Sequence, residues 1–557
     1  MSALGDWGKL EITSDSKLMP LIDQIRVDKL TELAHQRFDI NLTGAESKVL
    51  TDSAGSINPI EPALNSLRPE VRPEFIRWLT TDPEAAKHID PKGLRAWGVN
   101  VAGKLDFEEC QILPTLYFHR CAFPGEINLM SAEARGIYLT ESEIAGSVQA
   151  DGITVHGPVS FRESKFFSEV RILGATIESE LSLTGAKFRA SGDALSLDNA
   201  IVGNNVFLNG EFESAGTVRM LGARVTGNIE CDGAKFYAAT NALILDQAKI
   251  EGGVFFRNGL VSKGAIRLPV AEVKGDIEFW DVEVGEVSCR NLKLSGDFMW
   301  MLIRNPQTAT LKLIGASVRV LRDSLESRPA QNHLKLDGFQ YQDLISHKPP
   351  TAEELVKNRL PEEHKLDAKD RVSWLMLQDR KVQTKAQSWM QLRTLLTNKG
   401  DNEGAKYVTY KFRCAQASRK GFFAKRAAIA FAWLEEAPTR ILWLVFATLL
   451  LFTSLFWYAG ARGALAPTEA EAYKAFTSGK PVQSAYPQLN PFIYTLDNAL
   501  PLAKLGQDDK WAPDCRYPSR ELLTNYWFLM WMRWILVLWG WFEAAVLGAA
   551  IVSRFKS

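Results

Sequence analysis

Glu543 sits inside an apolar run, about ten residues from Arg533 on one side and Arg554 on the other. An ionised carboxylate at that depth of a bilayer is expensive and marks a site or a partner. Two chemistries fit. In one, Glu543 lies at a packed helix interface, within or between subunits, and faces a partner, a proton path or a pore. Gly540, Ala544 and Gly548 form a small-residue ridge beside it that would carry a homo-oligomer through the spans. In the other, Glu543 is a protonated or hydrogen-bonded structural group, tied to Thr448 or Ser454 of the preceding apolar run.

A second stretch is NPFIYTLDNALPLAKLGQDDKWAP at 490–513, an apolar helical segment with a turn at Gly506. Its acidic residues are Asp497, Asp508 and Asp509. The order span, short helix, glycine turn, span is that of a channel pore module, but the carbonyl run TVGYG is missing. An amphipathic helix lying on the outer membrane surface fits the segment better. A third candidate is a run of seven basic residues without an acidic one: Lys406, Lys411, Arg413, Arg419, Lys420, Lys425 and Arg426. Such a cluster beside a membrane span attracts anionic lipid headgroups.

No catalytic constellation accompanies these groups. The seven histidines are scattered without metal-ligand spacing, and no GxGxxG, GxSxG, Walker A or CxxC pattern is present. No catalytic, cofactor-binding or metal-binding residue is therefore assigned, and no cofactor is expected. The six cysteines show no paired spacing; most occupy apolar repeat positions and indicate a reducing compartment. A formal net charge of zero argues against a nucleic-acid partner. The N-terminus lacks the charged and apolar regions of a secretory signal.

These candidates hang on a repeat that fills residues 93–345. Apolar pairs two residues apart step along by five, then six, then five residues. Val218/Met220, Ala223/Val225, Ile229/Cys231 and Ala234/Phe236 make one round. Leu243/Leu245, Ala248/Ile250, Val254/Phe256 and Gly259/Val261 make the next. Period-two alternation means strands, and glycine at each bend means tight corners. The spacing predicts a right-handed, four-sided, pentapeptide-like β-helix of about 22 residues per coil, with coils near 190 and 238 stretched by insertions. Its open end requires a cover. Residues 1–92 are predicted to supply a helical cap. Thr43 and Glu46 form a capping-box pattern there, Val71, Phe75, Ile76 and Leu79 share a helical face, and 52–62 is a loop.

Residues 346–436 are read as a helical linker containing an αα-hairpin, and 437–557 as a transmembrane hairpin. Its spans are about 441–459 and 530–553, and its external loop is 460–526. About nine of the 16 tryptophans follow residue 430, as interfacial aromatics would. Basic residues before the first span and after the second, at Arg554 and Lys556, place the rod and both termini on the cytoplasmic side.

The repeats ILGATIESELSLTGAKF (172–188) and MLGARVTGNIECDGAKF (220–236) and the closing LKLDGFQY (334–341) resemble a bacterial pentapeptide-repeat-like β-helix family anchored by two C-terminal spans. The hairpin around 383–418, TLDNALPLAKLGQDDKW and the final span extend the resemblance over most of the chain from about residue 68. It implies a multi-pass protein of the bacterial inner membrane. Members are often labelled membrane-associated oxidoreductases, which makes that activity a third reading. The residues themselves favour a non-enzymatic scaffold or sensor whose solenoid side face binds a protein partner. A pore-type effector built from the two spans, acting in stress or antiphage defence, is the alternative.

Overall fold

Alternation of apolar and polar residues sends successive side chains to opposite faces of an extended backbone, and here it builds short strands wound into a parallel β-solenoid. The structure, a computed structural model, describes residues 15–38, 42–55, 68–348, 361–379, 383, 385–417, 421–422, 424–426, 429, 439–482, 485–500, 504–517 and 521–555. The chain divides into two compact units, Met1–Val408 and Thr409–Ser557.

In the first unit, equivalent positions of successive turns pair in parallel register. One inward column runs Leu94, Leu116, Ile137, Val159, Leu181, Val206, Ile229, Val254, Ile277, Phe298, Leu321, Leu344, giving about 11 turns of ~23 residues. Every side chain of this column is buried. Elsewhere in the core, Phe166 stacks on Phe188 with ring centroids 4.8 Å apart, and Phe212 and Phe236 continue the pile. Each such buried ring stabilises by about 1.5–3 kcal/mol relative to exposure, and no turn could bury its rings without the next. Glycine serves the close approach of turns: a Cβ at Gly146 would collide with the backbone of Gly125 in the preceding turn.

The stretched coils lie where the spacing placed them, with register slips between Asp193 and Leu195 and between Asn241 and Leu243. One inward pair is corrected. Leu260 and Ser262 are buried in place of Gly259 and Val261. Asn258 and Gly259 both turn left-handed at that corner, with φ of 56° and 84°, where the preceding turn uses Gly233 alone. The extra corner residue shifts the phase by one, which moves every following side chain to the other face.

The N-terminal helices are Asp15–Phe38, Gly44–Ala54, Pro73–Thr81 and Pro83–Ala86. The capping box is formed: Glu46 N donates to Thr43 Oγ1 at 3.1 Å, and Thr43 N donates to the Glu46 carboxylate at 2.9 Å. The helix continues through Ala54, so 52–54 of the expected loop 52–62 are helical and Gly55 follows the helix; 56–62 lie outside the described residues. Val71 is not on the helical face with Phe75, Ile76 and Leu79. It belongs to a strand, Glu70–Val71, that pairs with Asn100–Val101 of the first turn. Pro73 opens the helix after it and fixes the boundary.

The far end of the solenoid is closed by helices Ala368–Leu375 and Ala386–Asn398. Ser388 Oγ donates to the Leu336 carbonyl at 3.3 Å, Gln387 Nε2 to Phe339 at 2.8 Å and Gln391 Nε2 to Tyr341 at 3.0 Å. These bonds take up carbonyls that a last turn would otherwise offer to a foreign strand. Arg371, fully buried, holds Asp323 at 2.8 and 2.7 Å and Ser346 at 2.8 Å. Arg328 joins Asp323 at 3.2 Å to Asp370 at 2.7 Å.

The second unit contains the helices Thr439–Ala461 and Tyr526–Phe555. Between them lie the helices Ala470–Thr477 and Pro491–Ala499 and a ribbon in which Leu465–Pro467 pairs antiparallel with Trp511–Pro513. Phe452, Phe456, Leu465, Tyr494, Trp511, Leu529 and Leu536 form its core.

Candidate functional site

Arg440–Ala461 and Tyr526–Gly548 are long and apolar enough to cross a membrane, and only 22% and 28% of their most apolar windows are buried inside the protein. A core helix of a soluble protein would be mostly buried. Here Trp443 is 72% and Leu538 71% exposed, and Phe446, Leu450, Leu451, Trp457, Trp531 and Trp541 are exposed with them.

The two helices meet at a polar contact. Glu543 is 7% exposed, and Thr448 Oγ1 donates to its Oε1 at 2.9 Å. Trp539 Nε1 donates to the same oxygen at 2.7 Å and lies 3.1 Å from Thr448 Oγ1. Trp539 precedes Glu543 by one helical turn, so the two share a face. Spacing alone could have named that partner. Ser454, the other partner considered for Glu543, donates instead to the Leu450 carbonyl in its own helix. The small residues beside Glu543 divide in two. Gly540 is buried against Ala499 of the short helix, whose carbonyl a Cβ at 540 would strike. Ala544 and Gly548 face outward, and a Cβ at Gly548 would meet open space.

The segment 490–513 is helical only over Pro491–Ala499, where Asn490 Oδ1 caps the N–H groups of Phe492 and Ile493 at 3.1 and 3.2 Å. Asp497 accepts the backbone N–H groups of Leu505, Gln507 and Asp508 at 2.7, 2.7 and 2.9 Å. Burial pushes its carboxyl up, but these donors outweigh it and hold Asp497 below the usual carboxylate range. Burial and the charges of Asp497 and Asp509 push Asp508 the other way. Gly506 takes the left-handed conformation, φ 79°, that folds this loop over Asp497. Arg533 Nε donates to Asn498 Oδ1 at 2.7 Å, and its terminal NH2 group donates to the Asp508 carbonyl at 3.0 Å. These contacts fasten the short helix to Tyr526–Phe555. No spacing pattern signals the pairing of Arg533 with Asn498, because the two lie on different elements.

In the basic cluster, Lys406 and Arg413 are exposed on the helix Asn402–Ala417, and Lys411 is half-buried beside the Tyr410 ring. Lys425 is exposed, and Arg426 is exposed with its guanidinium 4.6 Å from the Phe422 ring centre. Arg419, Lys420 and Lys556 lie outside the described residues.

On the solenoid, charged side chains of neighbouring turns pair along the rod. Arg171 binds Asp151 at 2.7 Å, Arg219 binds Asp198 at 2.5 Å and Arg267 binds Asp246 at 2.5 Å. Asp151 and Asp198 also accept the backbone N–H of Leu173 and Leu221 in the next turn. These aspartates therefore brace corners. The core thiols are equally structural: burial pushes Cys121 up to about 12 and Cys289 higher still, far from a reactive thiolate.

Comparison of the chain with protein-family models, with curated proteins and with solved structures gives no match.

Proposed function

We propose that this protein is a membrane-anchored β-solenoid scaffold. The two apolar helices hold it in the bacterial inner membrane, the rod and both termini lie in the cytoplasm, and the side face of the rod takes a protein partner. One observation carries the reading. Rows of Trp, Leu and Phe on both helices stay exposed, and water would not tolerate so large an apolar surface. The capped ends of the solenoid support the scaffold role, since a rod with closed edges offers partners its side rather than its strands. The basic residues Lys406, Arg413, Lys425 and Arg426 are exposed and fit contact with anionic lipid headgroups. A pore reading would need Glu543 in a lumen. Its bonds to Thr448 and Trp539 of the same chain favour the anchor instead.

The cysteines offer the test. Cys515 is exposed in the segment between the two apolar helices, while Cys121, Cys231 and Cys289 are buried in the solenoid. A membrane-impermeant maleimide applied to intact cells should label the chain, and Cys515→Ser should abolish the label. An added cysteine at Gln247, a solenoid corner, should react only after lysis. Labelling of the Gln247 position in intact cells would overturn the orientation and with it a cytoplasmic scaffold.

A further inference from the structure

One side face of the solenoid carries its charges differently from its neighbour. Parallel register sets Glu143, Lys165, Lys187, Glu213, Lys235 and Val261 in one outward column over successive turns. Strand alternation puts Ala145, Phe167, Arg189, Ala215, Tyr237 and Lys263 in the column beside it. On the adjacent face Arg171, Arg219 and Arg267 each hold an aspartate of their own. Here the carboxylates are shared. Lys187 at 3.6 Å, Arg189 at 3.2 Å and Lys235 at 4.0 Å all converge on Glu213. Lys165 at 3.1 Å and Arg68 at 3.2 Å share Glu143. The Lys263 ammonium lies 5.3 Å from the centre of the Tyr237 ring.

Acids at the bordering corners do not remove the surplus. Glu141, Glu163, Asp193 and Asp232 each sit against an arginine: Arg120, Arg162, Arg219 and Arg257 in turn. Glu169 and Glu211, counted against the face, still leave positive charge in excess. Glu283, beside Val261 in the following turn, ends the basic stretch. The face is also apolar in part. Phe167 and Tyr237 are exposed on it, and the short Ala215 leaves a dip between Arg189 and Tyr237. Exposed aromatic rings and arginine are the residue types that carry binding energy at protein interfaces. From Lys165 to Val261 the column spans roughly 19 Å at the inter-strand spacing, the reach of about six extended residues. So short a surplus suits an acidic peptide segment better than the continuous phosphate chain of a nucleic acid.

We propose that this face docks a short acidic, aromatic-containing segment of a protein partner, an assignment that rests on the scaffold reading and names its face and its chemistry. Carboxylates of the segment join Glu213 between Arg189 and Lys235 and meet Lys263, while an aromatic side chain of the segment enters the dip at Ala215 against Tyr237.

The test uses the full chain in nanodiscs of zwitterionic lipid. The probes are the fluorescein-labelled peptide EEWEEWEE, its amide counterpart QQWQQWQQ and an oligothymidylate of similar charge, each read by fluorescence anisotropy. The acidic peptide should bind saturably, and the amide counterpart should bind about tenfold more weakly or worse, the loss of charged hydrogen bonds. Salt at about 1 M, where the screening length falls to about 3 Å, should weaken the acidic peptide in the same way. Arg189→Glu/Lys235→Glu should weaken it by about tenfold or more, and Lys263→Gln and Tyr237→Ala should each do so by several-fold with the thermal midpoint unchanged. Lys406→Glu/Arg413→Glu, in the basic cluster near the membrane, should leave binding as it is. No saturable binding at millimolar peptide, equal binding of the amide counterpart, wild-type binding by the double variant of the face, or tighter binding of the oligothymidylate would each overturn the proposal. If the Cys515 and Gln247 labelling still comes out as expected, such a failure removes this face and leaves the cytoplasmic scaffold standing; failure of the labelling overturns the scaffold reading itself.

Discussion

The closure of the solenoid's C-terminal end rests on one buried ionic group, and Arg371→Met tests it. Arg371 is fully buried, and its partner Asp323 has a side-chain exposure of 3%. The methionine fills most of the volume but removes the bonds at 2.8 and 2.7 Å to Asp323 and the 2.8 Å bond to Ser346. Asp323 then keeps only the 3.2 Å contact to Arg328, and that arginine is shared with Asp370. Breaking a buried pair from one side costs about 3–5 kcal/mol, because the remaining charge stays out of water. Ten-fold per 1.4 kcal/mol then gives a loss of protection of roughly one hundred- to four thousand-fold. Hydrogen exchange of the full chain in detergent reads this at the amides of Gln340–His347 and Ala386–Asn398, while amides near Val159 should barely change. The double variant Asp323→Asn/Arg371→Met should recover most of the loss, since Arg328 retains Asp370. A loss below about 1 kcal/mol, or additive effects in the double variant, would refute the assignment of Arg371 as the clamp.

Gly146→Val should lower the thermal midpoint of the chain by several degrees because the added carbons strike the Gly125 backbone, whereas Gly192→Ala, with open space around it, should leave it unchanged. His156 is held by Glu133 at 2.8 Å and Glu178 at 3.0 Å, and hydrogen bonds to these carboxylates raise its pKa above the ordinary value. Its contribution to stability is therefore full below the unfolded histidine pKa of about 6.5 and is lost as pH rises through the higher folded value. An NMR titration should show a midpoint above that of a free histidine, lowered by Glu133→Gln or Glu178→Gln. Gly540→Val should dislodge the helix Pro491–Ala499 and open the segment 462–525 to protease, while Gly548→Val, whose Cβ meets open space among the described residues, should not.

The solenoid was legible in the sequence because its signal repeats. Each apolar pair states the same period, and the two stretched coils near 190 and 238 stand out against it. One phase error, at Gly259 and Val261, arose because a single extra corner residue is invisible to periodicity. Val71 was misplaced for a related reason: Pro73 sets the helix start more strongly than apolar spacing does. The C-terminal closure was read only as an αα-hairpin, since Gln387, Ser388 and Gln391 act on carbonyls some fifty positions earlier in the chain. The carboxylate at 543 announced itself by its apolar surroundings, and Thr448 was named from its place in the other span. Trp539 was missed although it lies one turn from Glu543. The contacts of Tyr117 with Tyr138 and of Trp97 with His119 have no signature in the spacing, because these rings converge only once the turns are stacked.

Flotation reads the membrane anchor itself. Membranes from cells expressing the full chain are stripped with alkaline carbonate and centrifuged upward through a density gradient, beside a chain lacking residues 439–557. The full chain should rise with the lipid, and the shortened chain should stay at the bottom. A full chain released by carbonate, or a shortened chain that still floats, would contradict the anchor.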